Sequence, residues 1–153
     1  MATKHDVSMH IRRSRFEDRD ALFRLWLRSV RATHGFVAEA DLEMFMPLVR
    51  EYLASEAEVW VLAPADGAAV GFMGLAGATI DSLFLAPEWH RHGWGRRLID
   101  HARALRGSLT VDVNAQNVAA VAFYRACGFT VAGRSALDDM GRPYPLLHMR
   151  LKS

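Results

Sequence analysis

The sequence predicts an α/β protein of the α+β type, a mixed sheet with helices on its faces in the order βααβββαβαββ. Three observations carry this. The 153 residues are 51% apolar, enough to bury one self-sufficient core. β-rich runs alternate with segments whose apolar residues recur every three or four positions. No repeat, low-complexity tract or Pro/Gly/Ser-rich linker divides the chain, so residues 1–153 read as a single domain, with residues 1–8 expected to be disordered.

Met9 to Arg13 alternates apolar and polar residues, the period of a short strand. Ser14 and Glu17 have the spacing of a capping box, so a helix should follow, with Leu22, Leu25, Trp26, Ser29 and Val30 on one apolar face up to about Arg31. A second helix is expected from about Glu39 to Leu53, with Leu42, Phe45, Val49, Tyr52 and Leu53 inward and Pro47 splitting or kinking it. Val59 to Leu62 and Val70 to Leu75 read as a hairpin around Pro64, Asp66 and Gly67. Thr79 to Leu85 is a further strand, and Gly93 to Leu105 a helix facing inward through Leu98, Ile99, Ala102 and Leu105. Leu109 to Val113 is the next strand. The helix from Val118 to Cys127 has Asn117 as N-cap and Gly128 where a left-handed residue ends many helices. Thr130 to Ala136 and Leu146 to Leu151 close the pattern as strands joined by a turn around Met140, Gly141 and Arg142.

Composition excludes several functions. Of the 19 basic residues only Lys4 and Lys152 are lysines; the arginines are scattered, the formal charge is +2, and no nucleic-acid partner is expected. No apolar run is long enough for a membrane span. The single Cys127 forms no disulfide within the chain and the polar N-terminus lacks a signal-like stretch, so a cytoplasmic setting is the expectation. His90 and His92 lie two apart with no cysteine or carboxylate beside them, so no metal site is expected.

The chemistry gathers in two segments. From Leu83-Phe84-Leu85 through His90-Arg91-His92-Gly93-Trp94-Gly95-Arg96, a strand runs through a glycine-containing loop into a helix. Unpaired first-turn amides backed by the helix dipole make an anion site in outline. It is not a Walker loop, and Gly93 and Gly95 are equally readable as turn and packing residues. The second segment is Asn114 to Phe129, in which Asn117 and Tyr124 lie two turns apart on nearly one side of a helix.

Together these segments resemble the GCN5-related N-acetyltransferase (GNAT) superfamily, whose marks are an R/Q-x-x-G-x-G/A loop and, downstream, N-x-x-A-x-x-F-Y-x-x-x-G-F. Asn117, Ala120, Phe123, Tyr124, Gly128 and Phe129 match the second mark throughout. Ala32-Thr33-His34 and the ending Asp138 to Leu147 resemble the small YjaB-like bacterial branch. His90 stands where relatives carry Arg or Gln.

The resemblance implies a mostly antiparallel sheet and acetyl-CoA in a V-shaped gap between the fourth and fifth strands. Leu83, Phe84 and Leu85 would present the main chain to the pantetheine. The amides of His90, Arg91, His92, Gly93, Trp94, Gly95 and Arg96 would hold the pyrophosphate, with charge added by Arg91 or Arg96. Asn117, Phe123 and Tyr124 would complete the cofactor site, and Tyr124 would protonate the departing thiolate. Asp81, on the fourth strand with Thr79, is the candidate base, directly or through water; Ser29 and His34 join it as candidates for the acceptor wall. The implied function is acetyl transfer to a small-molecule or peptide amine by a monomer or homodimer. The alternative is an acyl-CoA-binding regulatory module without turnover.

Overall fold

A computed structural model of the chain describes residues 8–33 and 35–153. The expectation for residues 1–8 therefore falls outside the described residues except at Ser8, which is exposed. In chain order the elements are β1 (Met9–Arg13), α1 (Arg19–Thr33), α2 (Glu39–Ala54), β2 (Glu58–Pro64), β3 (Gly71–Ala76), β4 (Thr79–Leu85), α3 (Trp94–Arg106), β5 (Leu109–Asn114), α4 (Val118–Ala126), β6 (Thr130–Ser135) and β7 (Leu146–Leu151). The strands form one seven-stranded sheet in the order β1-β2-β3-β4-β5-β7-β6. Every neighbouring pair is antiparallel except β4 and β5. No described helix is long and apolar enough to cross a membrane.

Strand alternation sends side chains to two separate cores. Val59, Val61, Ala63 and Phe72 face α1 and α2, where they meet Leu22, Phe23, Trp26, Leu42 and Leu53. Leu62, Met73, Ile80, Val111, Val113 and Met149 face α3 and α4, where they meet Leu98, Ile99, Ala102, Tyr124 and Phe129. The sheet is thus covered on both faces.

Three local expectations are corrected. Ser14 and Glu17 do not start α1: the Arg15 amide donates to Asp18 Oδ2 at 2.7 Å, a short 3-10 turn over Phe16–Asp18 precedes the helix, and Arg12 grips the same carboxylate at 2.8 Å. A residue already charge-paired to the neighbouring strand makes the better anchor. Of the two outcomes expected for Pro47, the split is overturned: the second helix runs from Glu39 to Ala54 with Pro47 inside it. Leu105 does not join the inward face of α3: in the last turn of the helix, it is 42% exposed.

Candidate active site

The parallel pairing of β4 with β5 is short. Thr79 pairs with Thr110 and Ile80 with Val111, the two threonine hydroxyls touching at 2.8 Å. Beyond these pairs β4 remains bound to β3 and β5 to β7, so among the described residues the two strands part from Asp81 and Asp112 onward. A bulge helps to part them. Gly74 opposes Ser82 but Leu75 opposes Ile80, which leaves Asp81 as the extra residue and bends β4 away. The edge of Ser82 to Leu85 that faces β5 consequently has no partner strand.

On the α3 and α4 face, the loop after β4 delivers a helix end to this gap. Arg91, at φ 64, and Gly93, at φ 85, are both left-handed, and this double reversal turns the chain into α3. The first helical bond is Arg97 N–H to Gly93 C=O, so the amides of Trp94, Gly95 and Arg96 lie ahead of the helical ladder. The two glycines do different work. A Cβ on Gly93 would meet nothing within 4 Å, so its need is conformational, whereas a Cβ on Gly95 would sit 3.0 Å from the Phe123 ring, so its need is the packing of α3 on α4. His90 Nε2 is 2.9 Å from the Leu85 carbonyl, tying the loop back to the end of β4. The Arg96 guanidinium, considered above as a source of charge for the anion site, donates instead to the Ala126 carbonyl at 2.7 Å. Arg91 is exposed and His92 half-buried.

Asn117 opens α4 as anticipated, its side-chain oxygen accepting the Ala120 amide at 3.1 Å. Tyr124, buried, packs edge-on against Phe123 at 5.1 Å and Phe129 at 5.3 Å. Burial, with a lesser contribution from Cys127, pushes its hydroxyl well above the ordinary tyrosine value, so it remains protonated at any physiological pH.

On the opposite face the gap opens into a cleft of about 530 Å³ whose walls come from α1, α2, β4, β5 and the β6–β7 connection. Asp81 lines it, fixed by hydrogen bonds from Tyr52 Oη at 2.7 Å and Ser82 Oγ at 3.5 Å. Gly74 makes room for this cluster: a Cβ there would overlap Tyr52 Oη, Asp81 Oδ1 and Ser82 Oγ. Burial first, and then the Asp81 carboxylate, raises the Tyr52 hydroxyl above its ordinary value. Asp112, Asn114 and Asp138 add polar groups to the lining. Tyr144 closes one side by donating to Asp41 and accepting the Ala38 amide at 3.1 Å, which straps the β6–β7 connection to α2.

Of the residues singled out in the sequence, Asp81 thus lies on the cleft face and Tyr124 on the other, with the gap between them. Leu83 and Leu85 pack into the α3 side while Phe84 lines the cleft. Ser29 is buried on α1, its carbonyl accepting Thr33 Oγ1 at 2.7 Å, and does not line the cleft. His34 lies outside the described residues. Sequence reasoning gave no cleft role to Tyr52, Asp112, Asn114 or Tyr144, although Asn114 and Tyr144 fall inside the segments quoted above. For Asp112 a signal was present: Thr79-Ile80-Asp81 and Thr110-Val111-Asp112 repeat one pattern on strands that pair at the threonine.

The sequence model of the acetyltransferase (GNAT) domain matches residues 55–131. Peptidyl-lysine N-acetyltransferase YjaB of Salmonella typhimurium is 45% identical over 143 residues, 94% of this chain and 98% of that protein. The solution structure of apo YjaB from Escherichia coli superposes with a TM-score of 0.89 at 43% identity, covering 95% of this chain and 99% of that one. PaiA N-acetyltransferase from Thermoplasma acidophilum, in complex with coenzyme A, shares the fold at a TM-score of 0.78 and 22% identity over 95% of this chain and 99% of that one.

Proposed function

Because this chain belongs to the GNAT family of acetyltransferases, we propose that it transfers the acetyl group of acetyl-CoA to the side-chain amine of a peptide or protein lysine, the substrate named for its YjaB relatives. The observation that carries this reading is the gap between β4 and β5, with a helix end and a buried tyrosine on one face and carboxylates on the other. Donor and acceptor therefore meet through the sheet by direct attack.

The amides at the start of α3, ahead of its first helical bond, suit a pyrophosphate, since they present partial positive charge from the main chain. The main chain supplies this charge, which explains how the loop tolerates His90 in place of Arg or Gln: the imidazole holds the Leu85 carbonyl and leaves the amides free. The open edge of β4 offers backbone groups to the pantetheine, and the thioester comes to rest where the strands part. A lysine ammonium is drawn into the cleft by the carboxylate of Asp81, which the Tyr52 and Ser82 hydroxyls hold in place. Once deprotonated, the amine nitrogen attacks the thioester carbonyl, the C–S bond breaks, and the Tyr124 hydroxyl gives its proton to the sulfur.

The test combines binding with turnover. CoA should raise the melting temperature, by about 2.7 kcal/mol of stabilisation at 100 times its Kd. Gly93→Val should abolish that shift while the chain remains folded, because the strain falls on the loop backbone and nothing lies within 4 Å of the new Cβ. An equal shift in the variant would show that CoA lies elsewhere. Free-thiol release with a lysine peptide should accompany binding in the parent chain; CoA binding with no thiol release from any amine would point to a binding module instead.

A further inference from the structure

Two carboxylates stand where β4 and β5 part, and their partners give them different chemistry. Asp81 is held by the Tyr52 and Ser82 hydroxyls, and burial keeps the Tyr52 proton in place, so no basic side chain stands behind Asp81 in this cluster. Asp112 Oδ1 lies 2.6 Å from His148 Nδ1, and His148 Nε2 lies 2.6 Å from Ser135 Oγ. Asp112 and His148 are direct partners in the β5–β7 register, and Ser135 reaches the imidazole from β6. The His148 side chain is 37% exposed, so water has access to it. Around it, on its own face of the sheet, are Asp112 and Thr110 from β5, Ser135 and Gly133 from β6, and Arg150 two residues along β7.

We infer that Asp112 and His148 together form the base of the acetyl transfer, Asp112 touching the acceptor amine and His148 taking its proton onward, with Ser135 positioning the imidazole. This rests on the transferase reading above and adds the proton's route to it. The acceptor N–H bond breaks and its proton passes to the Asp112 carboxylate, which lines the cleft. With Nε2 protonated and donating to Ser135, Nδ1 accepts that proton from Asp112. The imidazolium then releases one proton to water and the pair is restored. The freed nitrogen lone pair forms the new C–N bond. Of the two protons the ammonium loses in becoming an amide, one leaves by this route and the other replaces the proton that Tyr124 gives to sulfur. The division of labour follows environment: Asp81 is a fixed counter-charge, and Asp112 a carboxylate with a base behind it.

His148→Gln and Asp112→Asn, each in the full chain, test this with acetyl-CoA and a lysine peptide. Near neutral pH, kcat/KM for the peptide should fall roughly 10²-fold, the size of a lost general base, with the KM for acetyl-CoA unchanged. The loss should narrow as pH approaches about 10.4, where lysine arrives already deprotonated. A weakly basic amine acceptor should largely escape the loss. Ser135→Ala, at the edge of the sheet, should show a smaller loss of the same shape, and the CoA-induced melting shift reports folding in all three. A loss that is the same at every pH and for the weakly basic amine, or no loss at all, overturns the assignment while leaving the transferase intact. A parent chain that acetylates no amine sinks both.

Discussion

Tyr124→Phe is expected to bind CoA as the parent does and to turn over roughly 10²-fold or more slowly, the size of a lost general acid. The substitution retains the ring between Phe123 and Phe129 and removes only a hydroxyl that has no hydrogen-bond partner among the described residues. Deleting a hydroxyl that leaves no partner unsatisfied costs the fold little. Any loss therefore belongs to the reaction. Steady-state kcat with a lysine peptide, set beside the Kd for CoA, decides the matter: parental turnover would reduce Tyr124 to a packing residue. The pH dependence of stability supplies a control. Because the folded Tyr124 value lies above the unfolded value of about 10, its contribution is intact below that pH and is lost as pH rises above it. Tyr124→Phe should accordingly lose less of its melting temperature above about pH 10 than the parent does.

Gly74→Ala should have a comparable effect on the other substrate. Its Cβ would overlap the tips of Tyr52, Asp81 and Ser82, all flexible side-chain ends, so the strand survives and the cluster is displaced. A displacement of about 1 Å in a positioning group costs on the order of 10²-fold. The loss should appear in kcat/KM for the amine, with CoA affinity unchanged, since Gly74 lies on β3 and remote from the α3 loop. Varying the two substrates separately checks this; equal losses for both would mean that the bulge, and with it the whole gap, had closed.

The sequence revealed most where a signal is local. β4 and β7 have the boundaries that composition and punctuation indicated, and Asn117 and Gly128 end α4 as their chemistry requires. The tyrosine-bearing helix and the glycine loop leading into α3 were legible because each is a contiguous motif. The cleft was not. Tyr52 meets Asp81 across 29 positions and His148 meets Asp112 across 36, and such partnerships are set by strand order, which no local pattern carries. Arg96 shows the same limit: its loop position suggested a phosphate, but α4 brought a carbonyl within its reach.

The opening between β4 and β5 makes the sheet a partition with one window. With the donor entering from one face and the acceptor from the other, as proposed above, neither has to leave before the other enters, and the expected transfer runs through a ternary complex without an acetylated enzyme. A single molecule that joins CoA to a lysine peptide through the acetyl carbon would thread that window and occupy both sides at once. Its second half would bind at the high effective concentration set by the first. Such a conjugate gains affinity from the wall itself, because the wall fixes the distance between the two halves before either arrives.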